Sequence, residues 1–196
     1  MRIAVRLGQV LTVVLLAVAT FALVHSNTSP QPQTVAAGAP PATAVGPDGI
    51  GRLRLGMTLE QADATGDLKI ATHWLNNGST CTIVELAGGG YAHFSRHHGL
   101  AVITAPPAAA TPEGIRAGAT IPQIAAAYPK YRNPEFGTPA EQVRLFGDFL
   151  APVPGNASAL YVFFFTAGSD HSASPTLKYL LLILSKQDGE CTHAAE

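Results

Sequence analysis

"LRLGMTLEQA" at residues 53–62 is followed, sixty-two positions later, by "IRAGATIPQI" at residues 115–124. Each copy puts a glycine two residues before a threonine and a glutamine three residues after it: Gly56, Thr58 and Gln61, then Gly118, Thr120 and Gln123. Threonine and glutamine at this spacing form a capping box, in which the hydroxyl and the carboxamide each satisfy a backbone N–H left open at a helix start. A glycine just before lets the chain turn sharply out of an extended segment. Pro122 suits the first turn of a helix, where its missing N–H costs little. Leu59 with Ala62, and Ile121 with Ile124 and Ala125, give each helix one apolar side. Gly66 and Pro129 bound the two helices at about two turns, too short to be stable without a sheet to lie on.

Strand candidates follow each helix. After the first come "CTIVEL" (81–86), "YAHFS" (91–95) and "LAVIT" (100–104); after the second come "QVRLFG" (142–147), "LYVFFFT" (160–166) and "KYLLLILS" (178–185). The spacing predicts a helix and an antiparallel meander, written twice. Tyr161, Phe163 and Phe165 share one strand face and Val162 and Phe164 the other. Both faces are apolar, so the outer one is either buried between the units or forms an aromatic binding surface, to which Trp74, in a loop before Cys81, would contribute.

The N-terminus reads differently. Arg2 and Arg6 precede the apolar run "LGQVLTVVLLAVATFALV", the order of regions in a secretory signal peptide. Its core, from Val10 to Val24, falls short of the roughly 20 residues that span a bilayer comfortably. Residues 1–26 are therefore expected to be a cleaved leader, and residues 27–47, rich in Pro and Ala, a disordered linker. The expected location is secreted or extracytoplasmic, with membrane attachment only if the leader is retained.

Of the twelve Lys and Arg, two stand in the leader, and the rest face thirteen Asp and Glu. That balance gives no basis for nucleic-acid binding. The only cysteines, Cys81 and Cys191, both follow the leader. An even count beyond the membrane argues for one disulfide, closing a loop of about 110 residues and contributing roughly 4 to 5 kcal/mol. Two free thiols, or a redox-active pair, are the alternatives.

The phrase "LGMTLEQA" resembles the repeat unit of the BamE-type outer-membrane assembly lipoproteins and of the beta-lactamase inhibitory proteins. With "TPEGIRAGATIPQIAAAYPKY" and "DGEC", the chain from Gly49 to Cys191 is similar to a group of secreted bacterial proteins of unassigned function. The resemblance implies an α+β fold of two tandem units, residues 48–111 and 112–196, each a short helix packed on a curled antiparallel sheet. It brings no catalytic residue and no cofactor.

The densest chemistry lies in "YAHFSRHHG", with His93, Ser95, His97 and His98; the first three fall on one strand face and resemble the makings of a zinc site or an activated serine. A third ligand or an acidic orienter is missing nearby, Glu85 being the only cross-strand prospect. No metal or cofactor is expected. The reading is a noncatalytic secreted or envelope-associated module, monomeric, that binds or inhibits a protein or engages a cell-wall component. The alternatives are a structural envelope domain and a small metal-dependent or serine hydrolase built on His93, Ser95 and His97.

Overall fold

The computed structural model describes residues 43–75 (side chains to residue 69), 81–165, 175–187 and 191. The leader therefore lies outside the described residues, as does most of the expected linker.

Both copies of the repeated phrase turn into helices. Thr58 caps α1 (Leu59–Asp63), its hydroxyl accepting from Gln61 N at 3.2 Å while Gln61 Oε1 accepts from Thr58 N at 2.9 Å. Thr120 caps α2 (Ile121–Ala127), where Gln123 Oε1 accepts from both the Thr120 N–H at 2.9 Å and the Thr120 hydroxyl at 3.1 Å. Gly56 and Gly118 have φ of 84° and 88°, the positive region that glycine enters without strain.

Each phrase then docks by the same pair of backbone bonds. Gly56 N donates to Leu100 O at 2.9 Å and Leu100 N to Met57 O at 2.7 Å. Gly118 N donates to Leu177 O at 2.9 Å and Leu177 N to Ala119 O at 2.8 Å. Leu100 lies near the start of β6 (Gly99–Thr104), and Leu177 opens β9 (Leu177–Leu184).

Those two strands overturn the expectation of two units with a sheet each. After a small hairpin of β1 (Gly49–Ile50) and β2 (Leu53–Arg54) come β3 (Leu68–Leu75), β4 (Cys81–Leu86), β5 (Tyr91–Ser95) and β6. The second half supplies β7 (Asp148–Val153), β8 (Asn156–Phe165) and β9. The order is β3-β4-β5-β6-β9-β8-β7, one antiparallel seven-stranded sheet. Its seam pairs Val102 with Ile183, Ile103 with Leu182 and Thr104 with Leu181. Two separate meanders would expose four strand edges, and pairing β6 with β9 removes two of them. The described residues accordingly make one mixed α+β domain.

The expected strand at 142–147 is also a helix. Thr138 and Glu141 form a third capping box around Pro139, and Gly147 at φ 80° ends α3 (Pro139–Phe146). Its place in the sheet is taken by β7, whose Pro152 is tolerated because β7 is an edge strand. The folded part also begins earlier than Asp48. Val45 is fully buried, its N–H donates to Ala110 O at 2.8 Å, and its carbonyl accepts from the buried Tyr161 hydroxyl at 2.8 Å.

One face of the sheet carries the main core, in which Ala62 of α1, Ile124 of α2 and Val143 of α3 join Val84, Ile103, Phe149, Tyr161, Phe163 and Leu182. The other carries a smaller apolar cluster of Val102, Leu160, Val162, Leu181 and Ile183 beside Cys81 and Cys191.

Candidate functional site

Tyr161, Phe163 and Phe165 do not form a binding surface. Tyr161 and Phe163 are fully buried and Phe165 nearly so, in a ring cluster with Phe149 and Tyr128 at centroid distances of 5.2 to 6.1 Å. The reason is that β8 is an interior strand of the sheet and its odd-numbered side chains point at the helices. Burial raises the hydroxyl pKa of Tyr161 well above the ordinary tyrosine value, and does the same for Tyr128, whose hydroxyl also donates to the Glu113 carboxylate. Trp74 lies in β3 opposite Ile83 rather than in a loop, and its side chain lies outside the described residues.

The histidine and serine cluster is taken apart by the fold. His93 is buried in the middle of β5. Its Nδ1 stands 3.2 Å from Cys191 O, and since a carbonyl only accepts, the ring proton sits on Nδ1. Nε2 is thereby left to accept from the Thr104 hydroxyl at 3.4 Å. Burial pushes the His93 pKa down to about 4, opposed by the bond to the Cys191 carbonyl. The ring is a neutral tie between the sheet and the disulfide. Ser95 Oγ accepts from the backbone N–H of His97 at 3.1 Å and of His98 at 3.2 Å, closing the β5–β6 turn. Its hydroxyl thus shapes the turn on which His97 sits, and among the described residues no histidine ring nitrogen is hydrogen-bonded to it. Among the described residues, no group of three or more His, Cys, Asp or Glu is placed to hold a metal ion.

Cys81 and Cys191 are joined by a disulfide with a Cα–Cα distance of 5.4 Å. Cys81 begins β4, directly opposite Ser95 in β5. The staple therefore sits beside the β5–β6 turn.

There the surface opens into a cleft of about 550 Å³, lined by the first phrase (Gly56, Thr58, Leu59), by Cys81 and Thr82, and by the turn from Phe94 to Gly99. Its walls are pinned. Gly99 has φ of 64° and lies so close to the phrase that a Cβ there would stand 2.6 Å from the carbonyl oxygens of both Gly56 and Met57. The phrase and the turn are held backbone to backbone, leaving the side chains of Arg96 and His97 exposed and His98 half-buried. His97 and His98 belong to the cluster that the sequence singles out, whereas Arg96 and Thr82 do not. The signal was the run "SRHHG", three cationic or proton-accepting side chains on one turn, but what makes it a cleft is the remote phrase.

The chain matches no protein-family model, no curated protein and no solved structure.

Proposed function

We propose that this protein is a noncatalytic, exported binding module that engages its partner at the cleft between the repeated phrase and the β5–β6 turn. The observation that carries the reading is the pinned geometry there: a concave surface whose walls are joined by two backbone hydrogen bonds and whose base includes a disulfide cysteine. A binding site gains affinity when its shape exists before the partner arrives, because little entropy remains to be lost. Work outside the cytoplasm is supported by the disulfide, which persists in oxidising compartments, and by the basic-then-apolar N-terminus. The noncatalytic part is supported by the use of Ser95 Oγ as a turn acceptor and of His93 as a buried tie.

Site-specific photo-cross-linking in the producing cell tests this. A photoreactive residue at position 97 should give a discrete adduct in the extracytoplasmic fraction, and one at the exposed Leu145 of α3 should not. Adducts from neither position would favour a purely structural envelope domain. Ester or peptide turnover abolished by Ser95→Ala would overturn the noncatalytic reading in favour of a hydrolase.

A further inference from the structure

The cleft has a chemical bias towards anions. Among the described residues that line it there is no carboxylate, whereas Arg96, His97 and His98 stand consecutively on its rim. The Arg96 guanidinium makes no ion pair or hydrogen bond with any described residue, unlike Arg52, which pairs with Asp67 at 2.9 Å, and Arg54, which donates to the carbonyls of Gly51 and Leu53. The backbone N–H groups of His97 and His98 are already used by Ser95 Oγ, so side chains provide the polarity that faces a ligand. The Thr58 hydroxyl accepts from Gln61 N, which leaves its own proton to donate; Thr82 adds a second hydroxyl. Among the described lining side chains, donors thus outnumber carboxylate acceptors. Leu59 and Phe94 supply an apolar part of the lining.

A donor-rich rim with an exposed guanidinium suits an oxyanion such as a carboxylate, which arginine receives with two parallel hydrogen bonds that lysine cannot match. The adjoining apolar lining favours a carboxylate carried on a chain with an aliphatic neighbour over a bare small anion. We propose that the cleft is a receptor for an acidic peptide segment of a protein partner, with Arg96 clamping a glutamate or aspartate side chain and the half-buried Leu59 receiving an adjacent apolar residue. This rests on the binding-module reading and specifies its ligand.

The test uses the full chain with its disulfide intact and two probe peptides, acetyl-Glu-Leu-Glu-amide and acetyl-Gln-Leu-Gln-amide. Titration followed by amide chemical shifts should show the glutamate peptide perturbing residues 94–99 and Thr58, with affinity that falls as salt is raised. The glutamine peptide should bind at least about tenfold more weakly, as should the glutamate peptide to Arg96→Ala, with Arg96→Lys between. Arg144→Ala on α3 is the control and should leave binding unchanged. Equal binding of the two peptides, or a loss with Arg144→Ala as large as with Arg96→Ala, would overturn the proposal. Acetate at matched carboxylate concentration should fail to displace the peptide; full displacement would reduce the cleft to a general anion site and overturn the peptide assignment. A cross-link from position 97 in a protein without affinity for the glutamate peptide would remove the acidic ligand while leaving the binding module standing.

Discussion

Leu100 and Leu177 hold equivalent places: each exchanges two backbone hydrogen bonds with one copy of the repeated phrase, at the start of β6 and of β9. These are also the two strands that pair at the centre of the sheet. The phrase is therefore a docking device, a glycine turn that closes against a central strand and then caps a short helix. Its repetition reflects a repeated local geometry within a single sheet.

Glycine replacements should separate conformation from space. A Cβ at Gly56 or Gly118 would meet nothing within 4 Å, so alanine there carries only the strain of positive φ, about 1 to 3 kcal/mol. Gly99→Ala adds a clash with two carbonyl oxygens at 2.6 Å and should cost more than either. Urea denaturation of the three variants checks the order; a Gly99→Ala no less stable than Gly56→Ala would contradict the packing of the turn on the phrase.

The three helix caps should rank by geometry. Thr58→Ala and Thr138→Ala remove hydroxyls that accept a helix N–H and should each destabilise by about 1 kcal/mol. The Thr120 hydroxyl bonds to Gln123 Oε1 instead, and Thr120→Ala should cost less. Thermal unfolding at fixed pH gives the comparison.

Two partly or wholly buried groups should give opposite pH dependences. His93 is pushed from 6.5 down to about 4, so between those values the unfolded chain binds more protons; its contribution is complete above 6.5 and is lost as pH falls towards 4. Asp148, pushed by burial from 3.8 up to about 6, binds more protons when folded; its contribution is complete below 3.8 and is lost as pH rises through 6. Across pH 4 to 6 the two oppose each other. Asp148→Asn should therefore steepen the fall in melting temperature on acidification, and His93→Gln should flatten or reverse it. Parallel profiles for wild type and Asp148→Asn would contradict this assignment.

Reduction should lower stability by roughly 4 to 5 kcal/mol, from the loop of about 110 residues that the disulfide closes. Because strands of both halves share one sheet, unfolding of the reduced protein should remain a single transition in calorimetry. Two resolved transitions would indicate halves that fold independently.

What the sequence determined by itself is local. The capping boxes at Thr58 and Thr120, the glycine turns before them and the ends of α1 and α2 depend on groups within about four residues of one another, so composition and spacing suffice. The strands from Cys81 to Thr104 were legible for the same reason, and a pair of cysteines leaves one intramolecular bond to make. Even the miss at 142–147 had a local signal, since Thr138, Pro139 and Glu141 spell a helix start and Gly147 a stop. The tertiary structure decided the rest. Nothing near Val102 names Ile183 as its neighbour; that pairing wins because two apolar strand edges gain by covering each other rather than facing water. It turns two expected units into one domain, buries Tyr161 and Phe163 under the helices, and leaves the β5–β6 turn against a phrase some forty residues earlier, where Arg96 comes to the rim of a cleft. Burial and concavity belong to surfaces that meet only when distant segments pack, so no window of sequence contains them.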